Sequence, residues 1–200
     1  MSGVVRLTPV LAPTAGQEDS LPVRERVRNQ SLSARDAVRR SSELSGLAIR
    51  HLDKNDRDVP LPDDGVYWSL SHTRRMVAGV VAPGPVGIDL EGPRDVRPEL
   101  SRRVLDAAEA TLLGGRDAER FLRAWTAKEA VLKCLGVGIA GLSHCRVTGL
   151  APDGGIHLEF KTVPYAVHTT AVGDHLAALC VAPTGDAPLP EVRVEWILPS

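Results

Sequence analysis

Two octapeptides, Met76-Val77-Ala78-Gly79-Val80-Val81-Ala82-Pro83 and Leu176-Ala177-Ala178-Leu179-Cys180-Val181-Ala182-Pro183, stand 100 residues apart and agree at four of eight positions. Each is an apolar run of strand length closed by a proline, which removes a ladder donor and ends a strand. A duplication produces such a match, and so does the Ala- and Val-rich composition of two unrelated buried strands. On the first alternative the chain is α+β, built of two similar α/β halves. A cleft would then lie at their boundary, where ligand sites tend to form.

The neighbourhood of each octapeptide follows one plan. Before the first, residues 66–70 are strand-like and are separated from it by the polar turn His72-Thr73-Arg74-Arg75. After it, residues 86–90 form a third short strand, entered through Pro83-Gly84-Pro85. Upstream, the spacing of Leu32, Val38, Leu44 and Leu47 predicts a helix over residues 31–47, with Gly46 near its end. Residues 55–65 read as a loop rich in Pro and Asp, and residues 1–22, rich in Pro, Ala and Gly, as a loosely ordered lead-in. In the second part, residues 93–97 are a loop, residues 99–113 and 118–135 are helices, and Gly136-Val137-Gly138 stops the second helix. Strands are expected at residues 145–149, 156–162, 167–172, 175–181 and 192–198. The expected organisation is a lead-in at 1–22, a first half at 23–92 and a second half at 93–200.

Composition narrows the function classes. The 24 Lys and Arg nearly balance 25 Asp and Glu, so no whole-molecule field draws nucleic acid or an anionic membrane. Three Trp, two Tyr and two Phe offer little stacking surface for single strands. No run of eighteen apolar residues and no basic start followed by an apolar core is present, so neither a membrane span nor export is expected. Three widely spaced cysteines, Cys134, Cys145 and Cys180, fit buried reduced thiols and a cytoplasmic location. Lysine occurs only at Lys54, Lys128, Lys133 and Lys161, and two of these four fall in one short segment.

Three short constellations carry the possible chemistry. In Gly87-Ile88-Asp89-Leu90-Glu91-Gly92, strand alternation puts Asp89 and Glu91 on one face and Ile88 and Leu90 on the other. Paired carboxylates repel unless a cation or proton lies between them, and hard oxygen donors of this kind suit Mg²⁺. A solvated strand end is the plainer alternative. In Trp125-Thr126-Ala127-Lys128-Glu129-Ala130-Val131-Leu132-Lys133, Trp125, Glu129 and Lys133 are four apart and share a helical face; taken alone, a surface ion pair beside a core tryptophan is the favoured reading. In Trp68-Ser69-Leu70-Ser71-His72-Thr73, hydroxyls and an imidazole stand where a phosphate could be gripped. A Ser/His hydrolase is poorly supported, since strand neighbours point to opposite faces and no G-x-S-x-G elbow exists.

In this order and at these separations, S-L-S-H-T, G-I-D-L-E and W-T-A-K-E-A-V-L-K resemble the 4′-phosphopantetheinyl transferase superfamily, in its longer branch whose two halves form an intramolecular pseudo-dimer. The resemblance covers roughly residues 31–142. It implies transfer of the phosphopantetheine arm of coenzyme A to a serine of an acyl or peptidyl carrier protein, with the active site in the cleft between the halves. By the same resemblance Asp89, Glu91 and Glu129 hold Mg²⁺, Glu129 or Glu109 accepts the serine proton, and Lys133 sits against the coenzyme A phosphates with help from Lys128. Ser71 and His72 hold the 3′-phosphate, Gly136 and Gly138 shape the loop after the helix, and Arg35, Arg39 and Lys54 are further coenzyme A contacts. Members commonly carry Gly, a basic residue and Pro ahead of the S-L-S-H strand. Here Lys54-Asn55-Asp56-Arg57-Asp58-Val59-Pro60 lacks that order, and Lys54 or Arg57 is the expected substitute. Two fused halves would make a monomer sufficient. The rival readings are a coenzyme A or carrier-protein binding protein without transfer, and a Mg²⁺-dependent phosphohydrolase; the intact carboxylates and Lys133 argue against the first.

Overall fold

The computed structural model describes residues 4–14, 21–183 and 191–199. It is a mixed α/β protein. The first octapeptide becomes β4 (Met76–Ala82), the middle strand of a three-stranded antiparallel sheet in the order β2-β4-β3, where β2 is Val10–Pro13 and β3 is Tyr67–His72. The second becomes β9 (His175–Val181), which lies between β5 (Val86–Glu91) and β8 (Val163–Val172) in an antiparallel sheet completed by β7 (Ile156–Phe160) and β6 (Cys145–Leu150). A short parallel pair, β1 (Val5–Leu7) with β10 (Val192–Val194), joins the two ends of the chain. The lead-in is therefore partly sheet, and its residues 1–3 and 15–20 lie outside the described residues. The last expected strand is shortened to β10, with one isolated bridge from Ile197 to Val10.

β4 is buried along its whole length because each face is covered. Its Met76, Ala78 and Val80 join Ile88 and Leu90 of β5 and Ala177 and Leu179 of β9 in one apolar cluster between the sheets. Its other face receives α1 (Val23–Ser45). That helix starts eight residues earlier than the apolar spacing predicted, and Leu32 and Leu44 of the expected stripe are exposed. The buried face is instead Ala34, Ala37, Val38, Ser41 and Ser42, small residues that allow close approach. Gly79 completes the fit, since a Cβ there would stand 2.4 Å from the Val38 nitrogen. α4 (Ala118–Leu135) covers the second sheet in the same manner, and a Cβ on Gly87 would stand 2.0 Å from the Ala130 carbonyl oxygen. Gly136, left-handed at φ 63°, ends α4 where the sequence placed its stop.

β5 hydrogen bonds to β9, so the boundary expected at residue 92 leaves a strand of the second sheet in the first half. The helix expected over residues 99–113 is two helices, α2 (Pro98–Val104) and α3 (Ala107–Leu113). Leu105 is extended, and Asp106 opens α3 with a capping box: its carboxylate accepts from the Glu109 nitrogen at 2.9 Å, and that of Glu109 from the Asp106 nitrogen at 2.8 Å. The Glu109 N–H, and after it that of Ala108, hold the Asp106 carboxyl below its usual range against the effect of burial. A lowered carboxyl stabilises the fold above its unfolded value near 3.8 and ceases to do so as pH falls through the folded value. Asp106→Asn keeps the acceptor without the charge, so its melting temperature is expected to fall less than the wild type's between pH 5 and pH 3, as followed by circular dichroism. All three cysteines are buried free thiols.

Candidate active site

The outer strands β3 and β5 of the two sheets meet side by side through serine hydroxyls. Ser69 Oγ accepts from the Ile88 nitrogen at 3.0 Å, and Ser71 Oγ donates to Asp89 Oδ1 at 3.0 Å. Ser71 thus orients a carboxylate. Because side chains alternate along β5, Gly87, Asp89 and Glu91 face α4, where Trp125, Glu129 and Lys133 form the opposing row. Lys133 Nζ stands 2.7 Å from Asp89 Oδ1 and also donates to the Ile88 carbonyl at 3.2 Å. Trp125 Nε1 donates to Glu91 Oε1 at 2.6 Å. The expected strand pair and helical face come together as one cluster of three carboxylates bracketed by an ammonium and an indole.

Its electrostatics are unbalanced. Burial, then the Asp89 charge, push the Glu91 carboxyl above its usual range against the opposing pull of Arg94 and Trp125. Glu129 is pushed up by burial and Asp89, with Lys133 opposing. Asp89 Oδ2 and Glu129 Oε1 are buried without a hydrogen-bond partner among the described residues. Orphaned acceptors beside repelling carboxylates are a donor set that a hard divalent cation satisfies. Among the described residues, no three His, Cys, Asp or Glu side chains already stand as a metal-holding group. The cluster therefore fits a cation by its chemistry, without being a closed shell.

A cavity of about 400 Å³ opens on the Lys133 side of the cluster, within the usual range for small-molecule sites. Lys54, Arg57, Ser71, His72 and Lys133 bring polar and positive groups to it, and Gly136 and Gly138 form part of its rim. The loop carrying Lys54 and Arg57 is built: Asn55 Oδ1 accepts from the Arg57 and Val59 nitrogens, and a Cβ on Gly136 would stand 3.0 Å from Val59. Lys54 pairs with Asp58 at 3.0 Å.

Four residues singled out from the sequence stand apart from these groups. Arg35 donates to the Leu52 carbonyl at 2.6 Å and lies over the Trp68 ring, and it does not line the cavity. Arg39 is exposed and pairs with Asp36 on its own helix. Lys128 is buried on another side of α4, where Nζ is 2.6 Å from the Val104 carbonyl and 2.6 Å from Glu109 Oε1. Glu109 also accepts from the Val147 and Asp106 nitrogens. Its carboxylate is committed to structure, and the pair ties α3, α2 and β6 to α4.

Other residues reach the cluster without having been singled out. Arg94 approaches Glu91, and a second cavity of about 370 Å³ runs past both to the hairpin ends. There Thr73 Oγ1 lies 3.0 Å from His175 Nε2, and His175 Nδ1 lies 2.6 Å from Asp174 Oδ1. Gly92 is required beside this contact, since a Cβ would stand 2.9 Å from the imidazole. No local spacing announced these contacts; the Thr73–His175 contact joins turns 102 residues apart.

Comparison with known proteins finds relatives of one kind. Residues 85–180 match the model of the 4′-phosphopantetheinyl transferase superfamily. The chain is 38% identical over 94 residues to the 4′-phosphopantetheinyl transferase psf-1 of Bacillus pumilus, covering 44% of this chain and 40% of that protein. It is 25% identical over 130 residues to the 4′-phosphopantetheinyl transferase Sfp of Bacillus subtilis (strain 168), covering 62% and 58%. The matches thus span about two fifths to three fifths of the length of these relatives. The matched segment holds Asp89, Glu91, Glu129 and Lys133, whereas Ser71, His72 and Lys54 lie before it. Over residues 85–180 the chain is thus similar to the 4′-phosphopantetheinyl transferase superfamily.

Proposed function

We propose that this chain transfers the 4′-phosphopantetheine group of coenzyme A to a serine of an acyl or peptidyl carrier protein and releases adenosine 3′,5′-bisphosphate. The observation that carries this reading is the carboxylate cluster of Asp89, Glu91 and Glu129, with Lys133 turned between it and a positively lined cavity. On this reading the two sheets with α1 and α4 are the halves of an intramolecular pseudo-dimer, and the active site lies in the cleft where β3 meets β5. The strand orders β2-β4-β3 and β5-β9-β8 support it, since each places the later strand of a hairpin between its partner and the strand that precedes the helix.

Asp89, Glu91 and Glu129 would hold Mg²⁺, which when bound neutralises the diphosphate charge. Lys54, Arg57 and His72 line the cavity that would take the adenosine end with its 3′-phosphate. The serine oxygen forms a bond to the pantetheine-side phosphorus as the bond from that phosphorus to the bridging oxygen breaks. Glu129 accepts the serine proton, and Lys133 stabilises the charge gathering on the departing bisphosphate. Among the described residues, no helix is long and apolar enough to cross a membrane; the proposed setting is the cytoplasm, with one copy of the chain sufficient.

The test is intact-mass spectrometry of an apo carrier protein incubated with the chain, coenzyme A and Mg²⁺. One added phosphopantetheine mass is expected, absent with a chelator and absent with Asp89→Ala. Coenzyme A binding with no mass gain on several carriers would favour a binding protein, and cleavage of coenzyme A without transfer a hydrolase.

A further inference from the structure

Three side chains from two elements converge on Arg94. Its guanidinium carbon lies 5.3 Å from the centroid of the Trp125 ring and 5.7 Å from that of Phe121. Those rings are themselves stacked, 6.1 Å apart at 12°. Nη1 lies 3.7 Å from Glu91 Oε1, the oxygen that takes the Trp125 indole N–H at 2.6 Å. The ion pair is longer than a hydrogen bond, whereas the indole bond is short. Arg94 therefore meets Glu91 chiefly through the tryptophan: it covers the ring whose N–H fixes the carboxylate. A flat guanidinium suits that position, because it stacks on an aromatic face while keeping its charge toward a carboxylate.

We propose that Arg94 is a positioning residue for the carboxylate cluster, holding Trp125 so that its N–H fixes Glu91 and thereby setting the chain's affinity for a divalent cation. This rests on the metal-holding role given to Asp89, Glu91 and Glu129 above. It makes Arg94 the counterpart of Lys133 at the other end of the cluster, with a different means of action. Lys133 touches Asp89 directly at 2.7 Å, whereas Arg94 works through an aromatic ring. Groups that hold a ligating side chain in place influence metal binding by about 10- to 100-fold. Without the stack, the indole and the Glu91 carboxylate regain alternative rotamers that binding must then suppress.

The test is calorimetric titration of the whole chain with Mg²⁺ and with Mn²⁺, without coenzyme A or carrier, with melting temperature recorded for each variant. Arg94→Ala is expected to weaken cation binding about 10-fold. Arg94→Lys should recover little of it, because an ammonium keeps the charge but cannot lie flat on the ring. Trp125→Phe keeps a ring and removes the N–H, so it should weaken binding to a similar degree, and adding Arg94→Ala to it should change little further. Full recovery in Arg94→Lys would reduce the role to charge, and tighter binding in Arg94→Ala would make Arg94 a rival of the cation; either outcome overturns the proposal. Lower melting temperature with unchanged affinity does so as well, by making the stack purely structural. Should Arg94→Ala fail to fold, the comparison of Arg94→Lys with Trp125→Phe decides on the same criteria. A wild-type chain that binds neither cation defeats the metal reading itself. Normal cation binding that follows the expected variant order, with no transfer to any carrier, would leave the Arg94 role standing while the transferase reading falls.

Discussion

Replacing Lys128 by methionine is expected to lower the melting temperature by roughly 6–20 °C. Lys128 and Glu109 are both almost fully buried, with side-chain exposures of 2% and 5%. Removing one partner of such a pair leaves a charge that the interior cannot solvate, at about 3–5 kcal/mol. In a chain of this size each kcal/mol moves the midpoint by about 2–4 °C. Glu109 would still accept the Val147 and Asp106 nitrogens, so its carboxylate stays fixed at the site that Lys128 leaves. The double variant Glu109→Gln with Lys128→Met should recover much of the loss, since no lone charge remains buried. Differential scanning calorimetry of the two single variants and the double closes the cycle. Transfer rates measured well below the midpoint separate this role from the catalytic one expected from the sequence. The structural assignment requires that folded Lys128→Met keep most of its turnover; an unchanged midpoint with turnover lost would return both residues to the chemistry.

That pair also marks the limit of what could be read from residues alone. Asp89, Glu91, Trp125, Glu129 and Lys133 were legible because each row follows a single period, two along a strand and four along a helix, and the rows need only face each other. The stop of α4 at Gly136 was legible for a similar reason, since a left-handed terminus asks for glycine. Lys128 and Glu109 sit in the same segments, but their pairing spans α3 and α4, and no local period encodes it. Asp106 and Glu109 did carry the D-x-x-E signature of a helix start, masked by apolar residues that run on from α2. α1 was placed too late because its buried face is alanine and serine, which a hydrophobic stripe does not reveal. β1 and β2 were hidden for another reason. Their strand character comes from partners at residues 192–194 and 76–79, far along the chain. Arg94 belongs with these non-local cases, as its aromatic partners lie more than 25 residues downstream in α4.

Glu129→Gln is expected to reduce transfer by about 10²- to 10⁴-fold, equivalent to several kcal/mol of barrier, without lowering stability. The substitution keeps the shape of the side chain and removes its charge. The amide can neither accept the serine proton nor contribute a charged oxygen to a cation, so both roles proposed for Glu129 are lost together. Stability should respond in the opposite sense. Burial pushes the Glu129 carboxyl upward, and the nearby charges of Asp89 and Glu91 push it further, with Lys133 opposing. One Glu129 oxygen lacks a hydrogen-bond partner among the described residues. Taking one negative charge out of that group relieves repulsion that the fold otherwise sustains, so the melting temperature of the metal-free chain should hold or rise. Sites kept for chemistry commonly carry such a cost. Added Mg²⁺ should stabilise the wild type through its preference for the folded state and stabilise Glu129→Gln less. Rates from the mass shift of the carrier, set beside melting curves with and without Mg²⁺, test both halves. Near-normal turnover at saturating Mg²⁺ would remove Glu129 from the reaction. Loss of turnover accompanied by a falling melting temperature would mean that Glu129 supports the fold, and the case for a metal-holding cluster would then rest on Asp89 and Glu91 alone.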